Sequence, residues 1–292
     1  MIYLKKFNLP GEDAEYGVIM RENRTCFASL YPFGLFARKG HDAISFDGIT
    51  MLYGGNGSGK STLINVISEK VGAVRYAEFN NSPFFDQYVG MCRAEYFRRP
   101  YKSYVLTSDD VFDYVLNARS INERIDDRRE ELFRKYAEVH KEAEDKPDTR
   151  WLKGLDDYDR WKETTDILSK RKSQSQYVKS RIARDIDLHS NGETAMRHFV
   201  ERIDEDALYF LDEPENSLSV EFQIELVDYI SATARATRSQ FIIATHSPVF
   251  LGMRGAEVYN LDSEPVERCN WTELPNVRKY FDFFMERREE FK

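Results

Sequence analysis

Three short stretches of this chain hold residue types suited to phosphate chemistry. The first is Gly54-Gly55-Asn56-Gly57-Ser58-Gly59-Lys60-Ser61, followed by Thr62. It fits GxxxxGK[ST], a loop whose glycines let backbone N–H groups turn inward around phosphates while a following helix adds its dipole. Residues 54–62 would then bind the nucleotide, with Lys60 reaching the β- and γ-phosphates and the Ser61 hydroxyl serving as a magnesium ligand. The second stretch is Asp212-Glu213, at the end of the apolar run Ala207–Leu211. A buried strand there would bring Asp212 to the metal side of a nucleotide, to hold Mg²⁺ through water. Glu213, one residue on, would polarise the attacking water as a general base. The third is Thr245-His246-Ser247-Pro248, after the run Phe241–Ala244. A lone histidine after a strand is usually structural, but this one sits one helix beyond the carboxylates, where it can point at a γ-phosphate. The ligands implied are ATP and Mg²⁺.

Such residues work only if strands and helices carry them to one place. Ile49–Tyr53 reads as a buried strand running into the glycines, and Ser61–Lys70 has helical spacing with Leu63, Ile64 and Ile67 on one side. Upstream, Thr25–Tyr31 and Ala43–Phe46 read as short strands. Downstream, Ala207–Leu211 and Phe241–Ala244 read as strands separated by a helix around Val220–Ala234. Between these α/β halves, residues 117–188 are rich in Arg, Lys, Asp and Glu and broken near Asp145-Lys146-Pro147-Asp148. Two helices of roughly 30 residues each, folded back on one another, are the simplest reading. The stripe Leu116, Ile121, Ile125, Leu132, Tyr136, Val139 is too irregular for sustained heptads, so a short helical arm is expected rather than a long coiled coil. The chain reads as one α/β domain over residues 1–292, with residues 117–188 inserted.

Composition narrows the class. The 292 residues are 41% hydrophobic and 32% charged, as in a globular protein with a long solvated helical region. Cys26, Cys92 and Cys269 lie far apart without CxxC spacing, which argues against structural zinc and disulfides and favours a reducing compartment. The N-terminus turns acidic within a dozen residues, and no run approaches the roughly 20 apolar residues of a membrane span. A cytoplasmic location without membrane attachment is expected. A net charge of -8 opposes indiscriminate coating of nucleic acid but leaves room for a local basic patch.

The order of glycine loop, long insertion, Ser190-Asn191-Gly192-Glu193, Asp212-Glu213-Pro214-Glu215 and Thr245-His246-Ser247-Pro248 resembles the ABC-type P-loop ATPases (AAA ATPases in the broad sense). Within them it looks like the SMC/RecF branch rather than membrane transporters, over residues 45–262. The resemblance implies an ABC-ATPase head with a mixed sheet and an inserted helical arm. It also implies hydrolysis of ATP and a homodimer with ATP sandwiched between two copies. Ser190-Asn191-Gly192-Glu193 looks like a divergent signature motif, with Ser190 and the Gly192 N–H donating to the partner copy's γ-phosphate. Ser190 before Glu193 also suits an ordinary helix cap, and Glu193 replaces the second glycine of the common pattern. Asn216-Ser217-Leu218-Ser219 would contact the opposite subunit. The glutamine expected after the strand Ser103–Thr107 is missing; Asp109 or Ser108 could stand in as a metal-side ligand, and Gln87 comes early for that role.

Tyr31, Phe33 and Phe36 lie where an adenine-stacking ring could sit, and each suits a core equally well. Lys170, Arg171, Lys172, Lys179, Arg181 and Arg184 make the second arm helix basic, as a DNA-contacting or a merely solvated face. The tail Val277–Lys292 reads as an aromatic amphipathic helix docked on its own domain or on a partner. Two functions fit: an ATP-dimerised ATPase of DNA repair, DNA maintenance or anti-phage or mobile-element defence, or a regulatory ATPase restraining a toxin or nuclease encoded nearby without touching DNA.

Overall fold

The computed structural model describes residues 1–23, 26–27, 29–40, 42–145, 162, 164–165, 167–168, 173–182, 191–203 and 206–291. The chain divides into two units, Met1–Asp113 with His189–Lys292, and Tyr114–Leu188. In chain order the elements are β1 (Leu4–Asn8), α1 (Glu12–Ile19), β2 (Ala43–Ser45), β3 (Ile49–Tyr53), α2 (Lys60–Val71), α3 (Phe85–Met91), β4 (Arg93–Tyr96), β5 (Ser103–Thr107) and α4 (Ser108–Asp145). Then come α5 (Gln174–Lys179), α6 (Asn191–Arg202), β6 (Leu208–Asp212), α7 (Val220–Ala236), β7 (Gln240–Thr245), α8 (Pro248–Leu251), β8 (Glu257–Asn260), β9 (Glu267–Arg268) and α9 (Pro275–Glu286).

The first unit is α/β with a six-stranded sheet in the order β5-β6-β7-β3-β8-β9 and a three-stranded sheet β2-β1-β4. The large sheet is parallel from β5 to β8, and β9 closes its edge antiparallel. Every residue of β3 and β7 is buried, which explains why those strands read as continuous apolar runs rather than alternating ones. Parallel pairing in register sets Tyr53 beside Thr245 and Asp212 beside Ala244. The glycine loop after β3, the carboxylates ending β6 and the histidine turn after β7 therefore leave the sheet at one edge, the carboxyl ends where α/β folds bind ligands. Helix α2 packs onto the core through Leu63, Ile64, Val66 and Ile67, all fully buried. Gln240 joins the two sheets: its Oε1 accepts from the Tyr3 and Leu4 N–H groups, and its Nε2 donates to the Leu4 and Asp47 carbonyls. All four bonds of this buried amide are made, so it costs little to bury.

The strand expected at Thr25–Tyr31 is not formed by the described residues of that stretch, which lie in turns or irregular chain. Their aromatics pack side-on instead: Phe27 lies edge-to-face with Phe84 at 5.0 Å, and Tyr31 stacks on Phe85 at 6.3 Å. These rings carry the apolar signal that mimicked a strand.

The second unit consists of most of α4 and the chain that returns to it. Leu132, Ile167, Tyr177 and Val178 make a small core, with Tyr136 packed on Tyr177 at 5.6 Å. The helices differ from the pair expected. Helix α4 is 38 residues long and begins at Ser108, directly after β5. The return is not one helix of similar length, because Ser173 starts a new one: its Oγ accepts from the Gln176 N–H and the Gln176 side chain accepts from the Ser173 N–H. That reciprocal cap is a strong helix start. Among the described residues no helix is long and apolar enough to cross a membrane.

Candidate functional site

The glycine loop is shaped by contacts that exclude side chains. A Cβ on Gly54 would lie 2.4 Å from Ser58 Oγ, and Gly59 has φ +99, a conformation L side chains rarely adopt, with Phe36 and Leu35 packed beneath it. The loop is also braced from outside. Asp262 Oδ2 accepts from the Gly55 N–H at 2.8 Å, and Lys39 Nζ donates to the Ser58 and Leu261 carbonyls at 3.0 and 2.9 Å. Lys60 is only 4% exposed. Its Nζ donates to the Gly54 and Gly55 carbonyls at 2.8 and 3.2 Å. The ammonium thus rests on its own loop, within reach of the space the loop encloses.

Strand β6 brings the carboxylates to that loop. Ser61 Oγ donates to Asp212 Oδ1 at 3.1 Å, and Lys60 Nζ lies 3.3 Å from Glu213 Oε1. Burial pushes the Asp212 carboxyl up to about 6; the Ser61 hydrogen bond opposes this, the Glu213 charge adds to it, and Lys60 and Arg75 oppose it. Glu213 has φ +46, an uncommon backbone for a residue with a side chain. It is held there by its N–H donating to the Ala244 carbonyl at 2.9 Å, while Asn216 Nδ2 donates to its Oε2 at 2.9 Å. The backbone bond fixes the residue, and the Asn216 bond occupies Oε2 while Oε1 faces Lys60.

His246 follows β7, and its Nδ1 lies 3.8 Å from Glu213 Oε1 and 3.2 Å from Glu215 Oε1. Glu215, 6% exposed, also accepts from Thr245 Oγ1 at 2.7 Å and from the His246 and Ser247 N–H groups at 2.8 and 3.2 Å. Ser247 Oγ in turn donates to Gln223 Oε1 at 2.7 Å.

Two adjoining cavities flank these groups. One of about 500 Å³ is bordered by Ser61, Asn65, Arg75, Asp109 and Asp212, among others. One of about 430 Å³ is bordered by Leu35 and residues 56–62. Tyr31, Ser61, Thr62 and Glu213 border both. Of the three aromatics considered for base stacking, Phe36 is core and Phe33 packs edge-on against Tyr88 at 5.1 Å. Tyr31 faces the cavities, its hydroxyl donating to Thr62 Oγ1 at 2.9 Å. Ser108 and Asp109 border the first cavity, whereas Gln87 is exposed on α3 and does not border it. The neighbouring Asp110 is committed elsewhere, accepting from the Thr107 N–H, Thr107 Oγ1 and the Ala77 N–H.

The remaining sequence candidates fall as follows. Ser190 lies outside the described residues, as do Lys170, Arg171, Lys172 and Arg184. Gly192 opens α6, and a Cβ there would meet Phe222 Cδ2 at 2.7 Å, so close helix packing already requires glycine. In the Asn216–Ser219 stretch, Asn216 contacts Glu213 and Ser219 Oγ accepts from the Phe222 N–H to cap α7. Lys179 is exposed, and Arg181 covers the Tyr177 ring at 4.3 Å. The tail helix α9 docks mainly through Val277, while Tyr280, Phe281, Phe283 and Phe284 remain about half exposed.

Sequence reasoning missed Lys39, Arg75 and Asp262, and it named Glu215 within its motif without a role. Arg75 donates to Asn65 Oδ1 at 2.6 Å and covers the Phe79 ring at 4.5 Å. Only for Glu215 was there a usable signal, a second acidic residue two positions after the first pair and next to a proline. Among the described residues no cluster of three or more His, Cys, Asp or Glu could hold a metal alone. The donor set present is a hydroxyl beside a carboxylate. That suits Mg²⁺, which takes one or two protein oxygens and fills its shell with water and substrate phosphate.

Several solved structures are similar to this chain. An Smc head domain with an extended coiled coil from Pyrococcus furiosus, bound to the C-terminal domain of ScpA, is 15% identical, covering 99% of this chain and 100% of that one with a TM-score of 0.42. An SMC head domain from Thermotoga maritima is 15% identical, covering 92% and 99%, with a TM-score of 0.40. A nucleotide-free ATP-binding cassette from an ABC transporter is 15% identical, covering 96% and 99%, with a TM-score of 0.41. No curated protein matches. Residues 75–252, more than half of the chain, match the model of one family, described as "AAA domain, putative AbiEii toxin, Type IV TA system". With the glycine loop, the acidic strand end and the parallel sheet that joins them, this chain is an α/β P-loop ATPase-type protein that belongs to that AAA family.

Proposed function

We propose that this protein binds Mg-ATP and hydrolyses it to ADP and phosphate. The observation that carries the reading is the meeting of Ser61 with Asp212 at 3.1 Å and of Lys60 with Glu213 at 3.3 Å, two contacts between segments far apart in sequence. In this reading the N–H groups of residues 54–62 hold the phosphates, and Lys60 exchanges its loop carbonyls for phosphate oxygens. Ser61 and Asp212 hold Mg²⁺, with Asp109 across the cavity as a further oxygen donor. The metal supplies charge neutralisation on the phosphates when bound. Glu213, already paired with Lys60, takes the proton of the attacking water, and His246 stabilises the γ-phosphate end. Tyr31 is the ring that best fits beside the base, since it alone of the three candidates borders both cavities.

We further propose that hydrolysis requires two copies, with Ser190 and the Gly192 end of α6 closing on the partner's nucleotide. The α6 N-terminus supports this as an anion-favouring helix start. A cytoplasmic protein is proposed, consistent with three free cysteines. As to pathway, an ATPase acting on DNA in repair, maintenance or defence fits the charged arm. The regulatory reading, with a toxin or nuclease partner held in check, is favoured by the half-exposed aromatic face of α9 and by the toxin–antitoxin wording of the family description. ATP turnover and oligomeric state with and without Mg-ATP test the core of the proposal. Lys60→Ala should neither bind nucleotide nor dimerise, and wild-type dimerisation without ATP would refute the sandwich. A DNA shift sensitive to salt, against co-purification of a protein partner with no shift, separates the two pathways.

A further inference from the structure

The nucleotide reading leaves one buried charge unused. Glu215 lies beneath the histidine turn, 6% exposed, and its Oε1 collects the Thr245 hydroxyl and the His246 and Ser247 N–H groups. The same oxygen lies 3.2 Å from His246 Nδ1. Two atoms of this pair are left over: among the described residues, neither Glu215 Oε2 nor His246 Nδ1 has a formed hydrogen bond, although both are buried. Buried polar atoms are nearly always bonded, and a small rotation of the ring or carboxylate would satisfy Nδ1 here. A carboxylate on one ring nitrogen sets the tautomer and leaves the other nitrogen for chemistry.

We infer that Glu215 is the positioning residue of His246. Its carboxylate fixes the turn through the His246 and Ser247 N–H groups and the Thr245 hydroxyl, and takes the imidazole at Nδ1–H, so that Nε2 is the nitrogen presented to the γ-phosphate end of the site. Asn276 at the start of α9 holds the turn from the opposite side, donating to the His246 carbonyl at 3.2 Å. The role rests on the proposed ATPase reading, but the ring orientation exists without it.

The test is Glu215→Gln, which keeps an acceptor for the turn's donors while removing the charge at Nδ1. Turnover should fall about 10–100-fold, the range for losing an orienting partner, with the ATP Kd within about threefold of the parent. In a His246→Ala background the same change should cost little more, because the two act as one unit. Glu215→Asp should recover part of the loss. Wild-type turnover in Glu215→Gln, a full additional loss on top of His246→Ala, or an equal loss of nucleotide binding would overturn the inference. Nitrogen-15 spectra of the five histidines, assigned with His246→Ala, read the ring directly in the nucleotide-free protein. In its neutral form the parent's ring should carry the proton on Nδ1 and leave Nε2 bare, and Glu215→Gln should shift that balance; the opposite tautomer in the parent refutes it. A protein that turns over no ATP yet shows this spectrum would defeat the ATPase proposal and leave the pairing intact.

Discussion

Replacing Glu213 by glutamine separates binding from chemistry at this site. In the structure Glu213 Oε1 sits 3.3 Å from Lys60 Nζ, with the carboxylate side chain 26% exposed and the lysine 4%. At an effective dielectric of about 20, the gross attraction at that distance is about 5 kcal/mol. Solvent around the partly exposed carboxylate and the loop carbonyls already on Lys60 reduce the net value to about 1 kcal/mol. Neutralising Glu213 frees that ammonium for phosphate and removes a negative charge beside the triphosphate. ATP affinity should therefore rise about fivefold, the equivalent of about 1 kcal/mol. The general base is lost at the same time, so single-turnover hydrolysis should slow about 10²–10⁴-fold, a barrier increase of about 3–5 kcal/mol. Because Gln can still accept from Asn216 and adopts φ +46 no more readily than Glu, the melting temperature should change little. Calorimetry with Mg-ATP and rapid-quench phosphate release measure the two quantities. Undiminished hydrolysis would remove Glu213 as the base, and weaker binding would show that its charge supports the phosphate site rather than opposing it.

Further outcomes follow from packing and protonation. His198 on α6 is 1% exposed, and burial, with Arg202 adding to it, lowers its pKa from 6.5 to about 4. The unfolded chain takes up the proton first, so the stability due to neutral His198 is full above pH 6.5 and is lost as pH falls through about 4. The loss amounts to about 3 kcal/mol; denaturant titrations should show this limb in the parent and a flatter one in His198→Phe. Gly192→Ala places a Cβ 2.7 Å from the Phe222 ring, and should cost about 1–3 kcal/mol by overpacking. Phe222→Leu in the same chain should recover much of it, and no recovery would show that Gly192 is needed for its backbone rather than for space.

Much of the site was legible because its signals are local. A glycine is demanded at Gly54 and Gly59 by contacts and φ within a few residues, so the loop pattern carries its own structural reason. The apolar runs before Asp212 and His246 read as buried strands because parallel strands covered on both faces need no alternation. The failures came where tertiary contacts outbid local pattern. The stretch around Phe27 and Tyr31 has strand composition, yet its rings find aromatic partners in Phe84 and Phe85 instead of a ladder. The tail helix has an apolar face, but only its first turn meets the core.

What the sequence determined alone is therefore the inventory: a phosphate loop, two adjacent carboxylates, a histidine, and the kind of element that carries each. Which of them meet was decided by the strand order β6-β7-β3, since non-neighbouring segments share an edge only through sheet pairing. The supporting residues belong to the same class. Asp262 on the Gly55 N–H and Lys39 on the Ser58 carbonyl carry no spacing signal, because each acts on a backbone group distant in sequence. Hydrogen bonds of that kind leave no periodicity to read, and only the folded chain brings their partners within 3 Å.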